Sequence, residues 1–307
     1  MIHLPESEVV NWLRRSTFSS ATVDIYDQLV VYLNRHFGSC FVDQSDLEDF
    51  AKRRVRRILS LLRRGSDEDN SRHRYPVFVD FNTELLTCRW FPATGDSTPK
   101  VPRALKRRLA LRGAILSTLE RLNWREYEAL GCLVMRLARA ARIKLTEPGN
   151  DGGVDWFALV PCKHKCHLLP SPSRHLRIVG QSKKYNHSLN EERVRSFFHI
   201  LNDLRTMSGS IKDHVPSWFW SSEGPIVGMM VAHSGFDSGA IAHCRREGVI
   251  AADSWDIAET LSLMLPSDLV NQGARNIEAF IFDRIAQEQT SGDSTDVRTR
   301  PELASVG

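Results

Sequence analysis

The sequence of 307 residues contains only six cysteines, and these are scattered rather than grouped in pairs. A dense disulfide framework is therefore excluded, and a reduced, cytoplasmic protein is expected. No apolar run approaches the roughly 20 residues of a membrane-spanning helix, so no membrane association is expected. The first residues lack the basic start and apolar stretch of a signal peptide. The phosphate-binding motif G-x-x-x-x-G-K-S/T is also absent, which argues against ATP-driven translocation by this chain.

The composition is that of a folded soluble protein. Hydrophobic residues make up 42% of the chain and charged residues 25%, which excludes wholesale disorder. The length suggests two domains, each with its own core. The formal net charge is +4, but the positive charge is uneven. Residues 1–122 contain 20 Lys and Arg against 15 Asp and Glu, whereas the rest of the chain contains 21 against 22.

One basic run has the spacing of an amphipathic helix. Its cations alternate with apolar residues, and they are Lys52, Arg53, Arg54, Arg56 and Arg57, followed by Arg63 and Arg64. A helix face of this kind can neutralise several phosphates, which is the source of most non-specific affinity for nucleic acid. The run is therefore a candidate DNA contact. The alternative is an ordinary solvated helix face.

Residues 1–102 are predicted to form a mainly helical N-terminal domain. Apolar spacing indicates helices within 5–65. Two β-rich runs, 75–81 and 84–91, follow with two residues between them and predict a hairpin. Helices followed by a hairpin are compatible with a winged-helix-like module that binds DNA or a partner.

The remainder of the chain is predicted to be a second domain with a connection and a tail. A connecting helix is expected over 103–122, the second domain over 123–288, and a disordered polar tail over 289–307. The second domain has the pattern of a helix, three strands, a helix, a strand, a helix, a strand and a helix. This order predicts an α/β sandwich with a mixed central β-sheet.

Three polar residues are notable in the second domain. Asp155 follows a glycine-rich turn, and Gln181 and Lys183 lie at the end of the next predicted strand. Residues two apart on a strand project to the same face, so Asp155 can lie beside both if the strands pair. Carboxylate and amide oxygens can hold a hard divalent cation, which polarises a phosphodiester and lowers the pKa of its water. Glu128 on the preceding helix is a further candidate ligand.

These residues also have structural interpretations. An Asp after Gly-Gly is often a turn former, and a Lys at a strand end usually extends its ammonium into water. Glu128 can be an ordinary exposed helix residue, and Glu126 competes for its role. His233 and Ser234 lack the nucleophile-elbow pattern of a hydrolase, so their segment is interpreted as a strand-to-helix turn.

Four sequence blocks occur in order along the second domain. They are YEAL (127–130), GNDGGVD (149–155), QSKKY (181–185) and VAHSGFDSGAIAHC (231–244). Together they resemble the Mrr-like restriction endonucleases, which belong to the PD-(D/E)xK nuclease superfamily, over somewhat less than half of the chain. The resemblance implies a restriction-endonuclease-like sandwich. The catalytic residues that it implies are Glu128, Asp155, Gln181 and Lys183.

The resemblance implies a Mg²⁺-dependent endodeoxyribonuclease, with Mn²⁺ as a substitute, that restricts foreign or modified DNA or acts in anti-phage defence. Asp155, Gln181 and Glu128 would hold the metal, and Gln in place of the superfamily's usual Glu is typical of this family. Lys184, beside Lys183, joins the basic run as a candidate DNA contact. Because cutting both strands usually requires two active sites, a homo-oligomer or a complex with partner proteins of a defence system is expected.

Residues 161–174 connect the second and third predicted strands of the second domain, where a tight hairpin would be sufficient. Cys162, Cys166 and His167 carry donors for a structural Zn²⁺, but the second ligand pair of the usual zinc sites is missing. An exposed loop that contacts DNA or a partner is therefore favoured over a zinc site.

Two other functions fit the same sequence. A catalytically silent nuclease fold would only bind nucleic acid or scaffold a complex, although the retained Asp155, Gln181 and Lys183 argue against it. A repair or recombination nuclease would act on branched DNA, and the sequence does not separate it from a restriction enzyme.

Overall fold

The computed structural model divides the chain into two compact units, Met1–Ala114 and Ile115–Gly307. The residues that it describes are 4–16, 18, 22–80, 85–89, 103–149, 152–161, 175–209, 211 and 214–290. The turn of the predicted hairpin, most of the insertion with its candidate zinc ligands, and the polar tail from residue 291 lie outside these ranges. None of the described helices is both long and apolar enough to cross a membrane.

The first unit combines helices with a small antiparallel sheet. Its elements are α1 (Glu6–Arg15), β1 (Thr22–Asp24), α2 (Ile25–Phe37), a 3₁₀ turn (Gly38–Cys40), α3 (Gln44–Ser71), β2 (Phe78–Asp80), β3 (Leu85–Cys88) and α4 (Arg103–Ala110). The strands lie in the order β1-β3-β2, and both pairs are antiparallel. The helices therefore pack with a three-stranded sheet whose central strand comes last in the sequence.

Helix α3 begins at a side-chain cap and buries one apolar stripe. The Asp43 carboxylate accepts a hydrogen bond from the backbone N–H of Asp46 at 2.9 Å, which satisfies a free donor of the first turn. An ion pair of 2.6 Å between Arg14 and the buried Asp69 ties the far end of the helix to α1. The stripe that enters the core consists of Leu47, Ala51, Val55, Ile58 and Leu62.

The second unit is built around a five-stranded sheet. Helix α5 (Arg112–Arg121) crosses the boundary between the units. The elements that follow are α6 (Trp124–Leu137), β4 (Arg142–Leu145), β5 (Trp156–Pro161), β6 (His175–Lys183), α7 (Glu191–Thr206), α8 (Ser217–Ser221), β7 (Ile226–Ala232), α9 (Ser238–Glu247), β8 (Ile250–Asp253), α10 (Ser254–Met264), α11 (Ser267–Gln272) and α12 (Ala274–Thr290).

The strands of this sheet lie in the order β4-β5-β6-β7-β8. The pairs β4–β5 and β5–β6 are antiparallel, whereas β6–β7 and β7–β8 are parallel. The predicted α/β architecture with a mixed central sheet is thereby confirmed.

The connection between the two units differs from the sequence prediction. Where one helix is predicted over 103–122, the structure has α4 and α5, with a turn at Leu111. Immediately after this turn, Arg112 is buried and its guanidinium donates a hydrogen bond to the carbonyl of Tyr75 at 2.6 Å. This tertiary contact is not encoded in the apolar spacing on which the prediction depends.

Trp156 packs α6 against the sheet. A Cβ atom at Gly131 of α6 would lie 2.1 Å from the indole nitrogen, and one at Gly180 of β6 would lie 1.9 Å from the indole carbon Cε2. Only glycine leaves room for the ring at these two positions, so a side chain at either would push α6 and β6 apart. Because Trp156 follows Asp155 directly, this packing also fixes the strand that carries the candidate site.

Candidate functional site

The register of β5 and β6 brings Asp155 and Gln181 together. Trp156 pairs with Gly180, and the backbone N–H of Asp155 donates to the carbonyl of Gly180 at 2.9 Å. Asp155 and Trp156 therefore both lie against Gly180, the residue that immediately precedes Gln181 on β6. Lys183 lies two residues further along β6, and strand alternation places it on the same face as Gln181.

The glycine-rich turn before Asp155 orients the Gln181 amide. Gly153 has a left-handed backbone with φ of +83°, and a Cβ atom there would lie 2.5 Å from the side chain of Ile200. The carbonyl of Gly153 accepts a hydrogen bond from Nε2 of Gln181 at 2.7 Å. With its nitrogen committed to this carbonyl, the amide has its oxygen as the acceptor for a further partner.

Asp155 is held by both its backbone and its side chain. The residue is 1% exposed, and its Oδ2 accepts a hydrogen bond from the backbone N–H of Ser182 at 2.5 Å. Its carbonyl accepts from the backbone N–H of Thr146 at 2.9 Å and from the Thr146 hydroxyl at 2.8 Å. A carboxylate bound in this way has a defined orientation before any ligand arrives.

The two adjacent lysines have different surroundings. The half-buried Lys183 ends β6, and within the described residues no hydrogen bond or ion pair engages its ammonium. The Lys184 ammonium instead donates to the carbonyls of Glu120, at 2.7 Å, and Leu122 at the end of α5. Burial lowers the pKa of Lys184. The role of Lys184 as a DNA contact stays a prediction, and in this structure its ammonium binds backbone carbonyls.

The two competing glutamates of α6 also have different contacts. Glu126 forms a capping box with Asn123: its carboxylate accepts from the Asn123 backbone N–H at 2.6 Å, and its own N–H donates to the Asn123 side chain at 2.9 Å. Glu128 accepts from Arg125 at 2.8 Å, and Arg125 also donates to the carbonyl of Thr146 at 2.6 Å. Of the two, Glu128 is thus the one linked to the residue that binds the backbone of Asp155.

The donor chemistry of these residues fits a hard divalent cation. In the part of the chain that the structure describes, no three His, Cys, Asp or Glu side chains form a group that could hold a metal ion. The predicted set contains two carboxylates, from Asp155 and Glu128, and depends on the Gln181 amide for its third donor. All three offer oxygen, the ligand atom that Mg²⁺ prefers, and the orientation of Gln181 makes its oxygen the acceptor.

The basic run lies on α3, and its cations differ in whether they form ion pairs. Arg54 and Arg57 pair with Glu6 of α1 at 3.4 and 3.1 Å. We call the exposed side of this helix the basic face; its cations are Lys52, Arg53, Arg56, Arg57, Arg63 and Arg64. Among these, the cations that form no ion pair within the described residues are Arg53, Arg56 and Arg64.

Comparison with known proteins finds no match to a protein-family model and none to a curated protein. Three solved structures are similar, and all are restriction endonucleases. MspJI in complex with a 27-mer oligonucleotide is 18% identical, with a TM-score of 0.37 over 61% of this chain and 39% of that one. AspBHI, a DNA modification-dependent restriction endonuclease, is 17% identical, with a TM-score of 0.38 over 67% of this chain and 55% of that one.

FokI bound to DNA is 11% identical, with a TM-score of 0.32 over 92% of this chain and 48% of that one. This chain thus spans about two fifths to just over half of the length of the three enzymes. At these identities and TM-scores, the likeness assigns neither a fold family nor a function.

Proposed function

We propose that this chain is a metal-dependent DNA endonuclease of the Mrr-like type, within the PD-(D/E)xK superfamily. The observation that carries the proposal is the placement of Asp155, Gln181 and Lys183 at one end of two paired strands, with the first two already oriented by backbone hydrogen bonds. The order of helix, three antiparallel strands, helix and parallel strand around them agrees with the resemblance seen in the sequence.

Each residue has a distinct part in the proposed reaction. Asp155 and Gln181, with Glu128, would hold Mg²⁺ or Mn²⁺ through their side-chain oxygens. When bound, the ion supplies polarisation of the phosphodiester and a lowered pKa for the attacking water. The ammonium of Lys183 orients that water and offsets the charge that develops on the phosphate. Engagement of Glu128 requires its carboxylate to share or leave its contact with Arg125.

The first unit is proposed to bind DNA. Its order of helix, strand, two helices and two strands, with the last strand at the centre of the sheet, supports a winged-helix-like module. The basic face of α3 supplies the charges for phosphate contacts. We propose residues 1–102 as this domain, 103–122 as the connection and 123–288 as the nuclease domain.

The proposed role is restriction of foreign or modified DNA, or anti-phage defence, in the cytoplasm. A homo-oligomer or a complex with partner proteins would provide the two active sites that a double-strand break usually requires. A monodisperse monomer that still makes double-strand breaks would remove the need for the oligomer.

The test is a cleavage assay with the purified chain on plain duplex, methylated duplex and four-way junctions. Mg²⁺ or Mn²⁺ should permit nicking or linearisation, and EDTA should abolish it. Preference for a duplex supports restriction, whereas preference for the junction supports repair or recombination. DNA binding without cleavage under any metal condition would support a catalytically silent fold and contradict the proposal.

A further inference from the structure

A polar cluster of Tyr127, His233 and Ser254 lies in the second unit outside the proposed metal ligands. The Tyr127 hydroxyl lies 3.0 Å from Oγ of Ser254, and Nδ1 of His233 lies 2.9 Å from the same oxygen. The rings of Tyr127 and His233 also meet edge to face, with centroids 5.7 Å apart. Tyr127 and Ser254 are both buried, so these polar groups depend on one another rather than on water.

The cluster joins the end of β7 to α6 and α10. His233 is the first residue after β7, and its backbone N–H donates to the carbonyl of Lys183 at 2.9 Å. Tyr127 immediately precedes Glu128 on α6, and Ser254 is the first residue of α10. The His233 side chain therefore connects the end of the strand that carries Lys183 to the helix that carries Glu128.

The burial of Tyr127 determines the direction of the hydrogen bonds. The Tyr127 hydroxyl carries a proton that it can donate. Within the described residues Ser254 is its only hydrogen-bond partner, and a buried donor left unpaired costs about 1–3 kcal/mol. Tyr127 therefore donates to Ser254, and the Ser254 proton is directed to Nδ1 of His233. This chain requires a neutral imidazole with its proton on Nε2.

We propose that His233 is a positioning residue for the nuclease reaction: by accepting from Ser254, it fixes the end of β6 at Lys183 relative to Glu128 on α6. The inference rests on the proposed function and extends it to a residue outside the proposed metal ligands and the proposed DNA contacts. Loss of the contact between His233 and Ser254 should lower the rate of the chemical step, because small displacements of catalytic groups cost about 100-fold in rate.

The test compares His233→Asn and His233→Leu in the full chain. At saturating DNA, His233→Leu should lower the cleavage rate about 10- to 100-fold while the Kd for DNA stays within about twofold. The Asn side chain offers an oxygen that can accept from Ser254, so His233→Asn should retain the rate within about threefold. Ser254→Ala should reproduce the loss, and combining it with His233→Leu should add little, because both break one chain.

Two results would overturn the inference while the wild type still cuts DNA: an unchanged rate for His233→Leu, or an equal loss in both His233 variants at unchanged Tm. The ¹⁵N resonances of His233 provide a measurement that needs neither cleavage nor a folded Leu variant. A proton on Nε2 supports the hydrogen-bond chain, and a proton on Nδ1 contradicts it. A wild type that never cuts would instead contradict the proposed function.

Discussion

The two regions proposed to act on DNA differ in how their charged groups are held. On the basic face of α3, Arg53, Arg56 and Arg64 are exposed and form no ion pair within the described residues. Asp155 is buried instead, and a backbone N–H binds its carboxylate at 2.5 Å. Phosphate binding by exposed charges is shared among several side chains, so it tolerates the loss of one of them. Metal-assisted hydrolysis instead requires a few groups in fixed positions. Loss of single residues should therefore affect the two regions very differently.

The largest effect is expected at the buried carboxylate. Asp155→Ala should lower the cleavage rate by on the order of 10³-fold or more, because it removes a metal ligand at the centre of the site. Affinity for DNA, measured by fluorescence anisotropy in EDTA, should stay within about twofold. A variant that cuts like the wild type would place the active site elsewhere.

A smaller and graded effect is expected on the basic face. Changing Arg53, Arg56 and Arg64 together to Gln should weaken DNA binding by on the order of 10-fold and reduce the salt slope of log K by up to about 3. The control is Arg54→Gln with Arg57→Gln, compared with the triple variant per arginine removed. These arginines already pair with Glu6, so their loss should change the slope less. Equal changes in slope per arginine removed, for the triple variant and the double variant, would contradict the distinction between paired and unpaired arginines.

The smallest effects should separate the two glutamates of α6. Glu128→Gln should lower the cleavage rate about 10-fold and raise the Mg²⁺ concentration required for half-maximal activity, because one carboxylate ligand is lost. Glu126→Ala breaks the capping box and should lower the free energy of unfolding by about 1 kcal/mol, with the Mg²⁺ requirement unchanged. Denaturant titration and Mg²⁺ titration of both variants provide the measurement. If Glu126→Ala shifted the Mg²⁺ requirement and Glu128→Gln did not, Glu126 rather than Glu128 would be the metal ligand.

The sheet could be predicted from the sequence because the pattern that indicates each strand lies within a short segment of the chain. Short runs rich in apolar residues indicate β5 and β6. The two-residue spacing of Gln181 and Lys183 places both on one face. Their proximity to Asp155 then follows if the neighbouring strands pair, and β5 and β6 are paired in the structure. The bond from Gln181 to the Gly153 carbonyl could not be predicted, because it depends on the exact conformation of the glycine turn.

Contacts between distant segments were not accessible from the sequence. Lys184 looks like a free cation beside Lys183, and only the folded chain brings the carbonyls at the end of α5 to its ammonium. The His233 side chain meets Tyr127 and Ser254, residues that lie far away along the chain and show no common motif. Patterns of spacing report which face of an element is buried, whereas these contacts depend on how the elements pack.

Lys183 and Lys184 provide the most direct measurement, because they are adjacent in sequence and differ in surroundings. Plasmid cleavage in Mg²⁺ should be compared for the wild type, Lys183→Ala and Lys184→Ala, with DNA binding measured on the same DNA. We expect a loss on the order of 100-fold or more for Lys183→Ala and a rate within about threefold of the wild type for Lys184→Ala. Equal cleavage by Lys183→Ala and the wild type would contradict an active site at the end of β6.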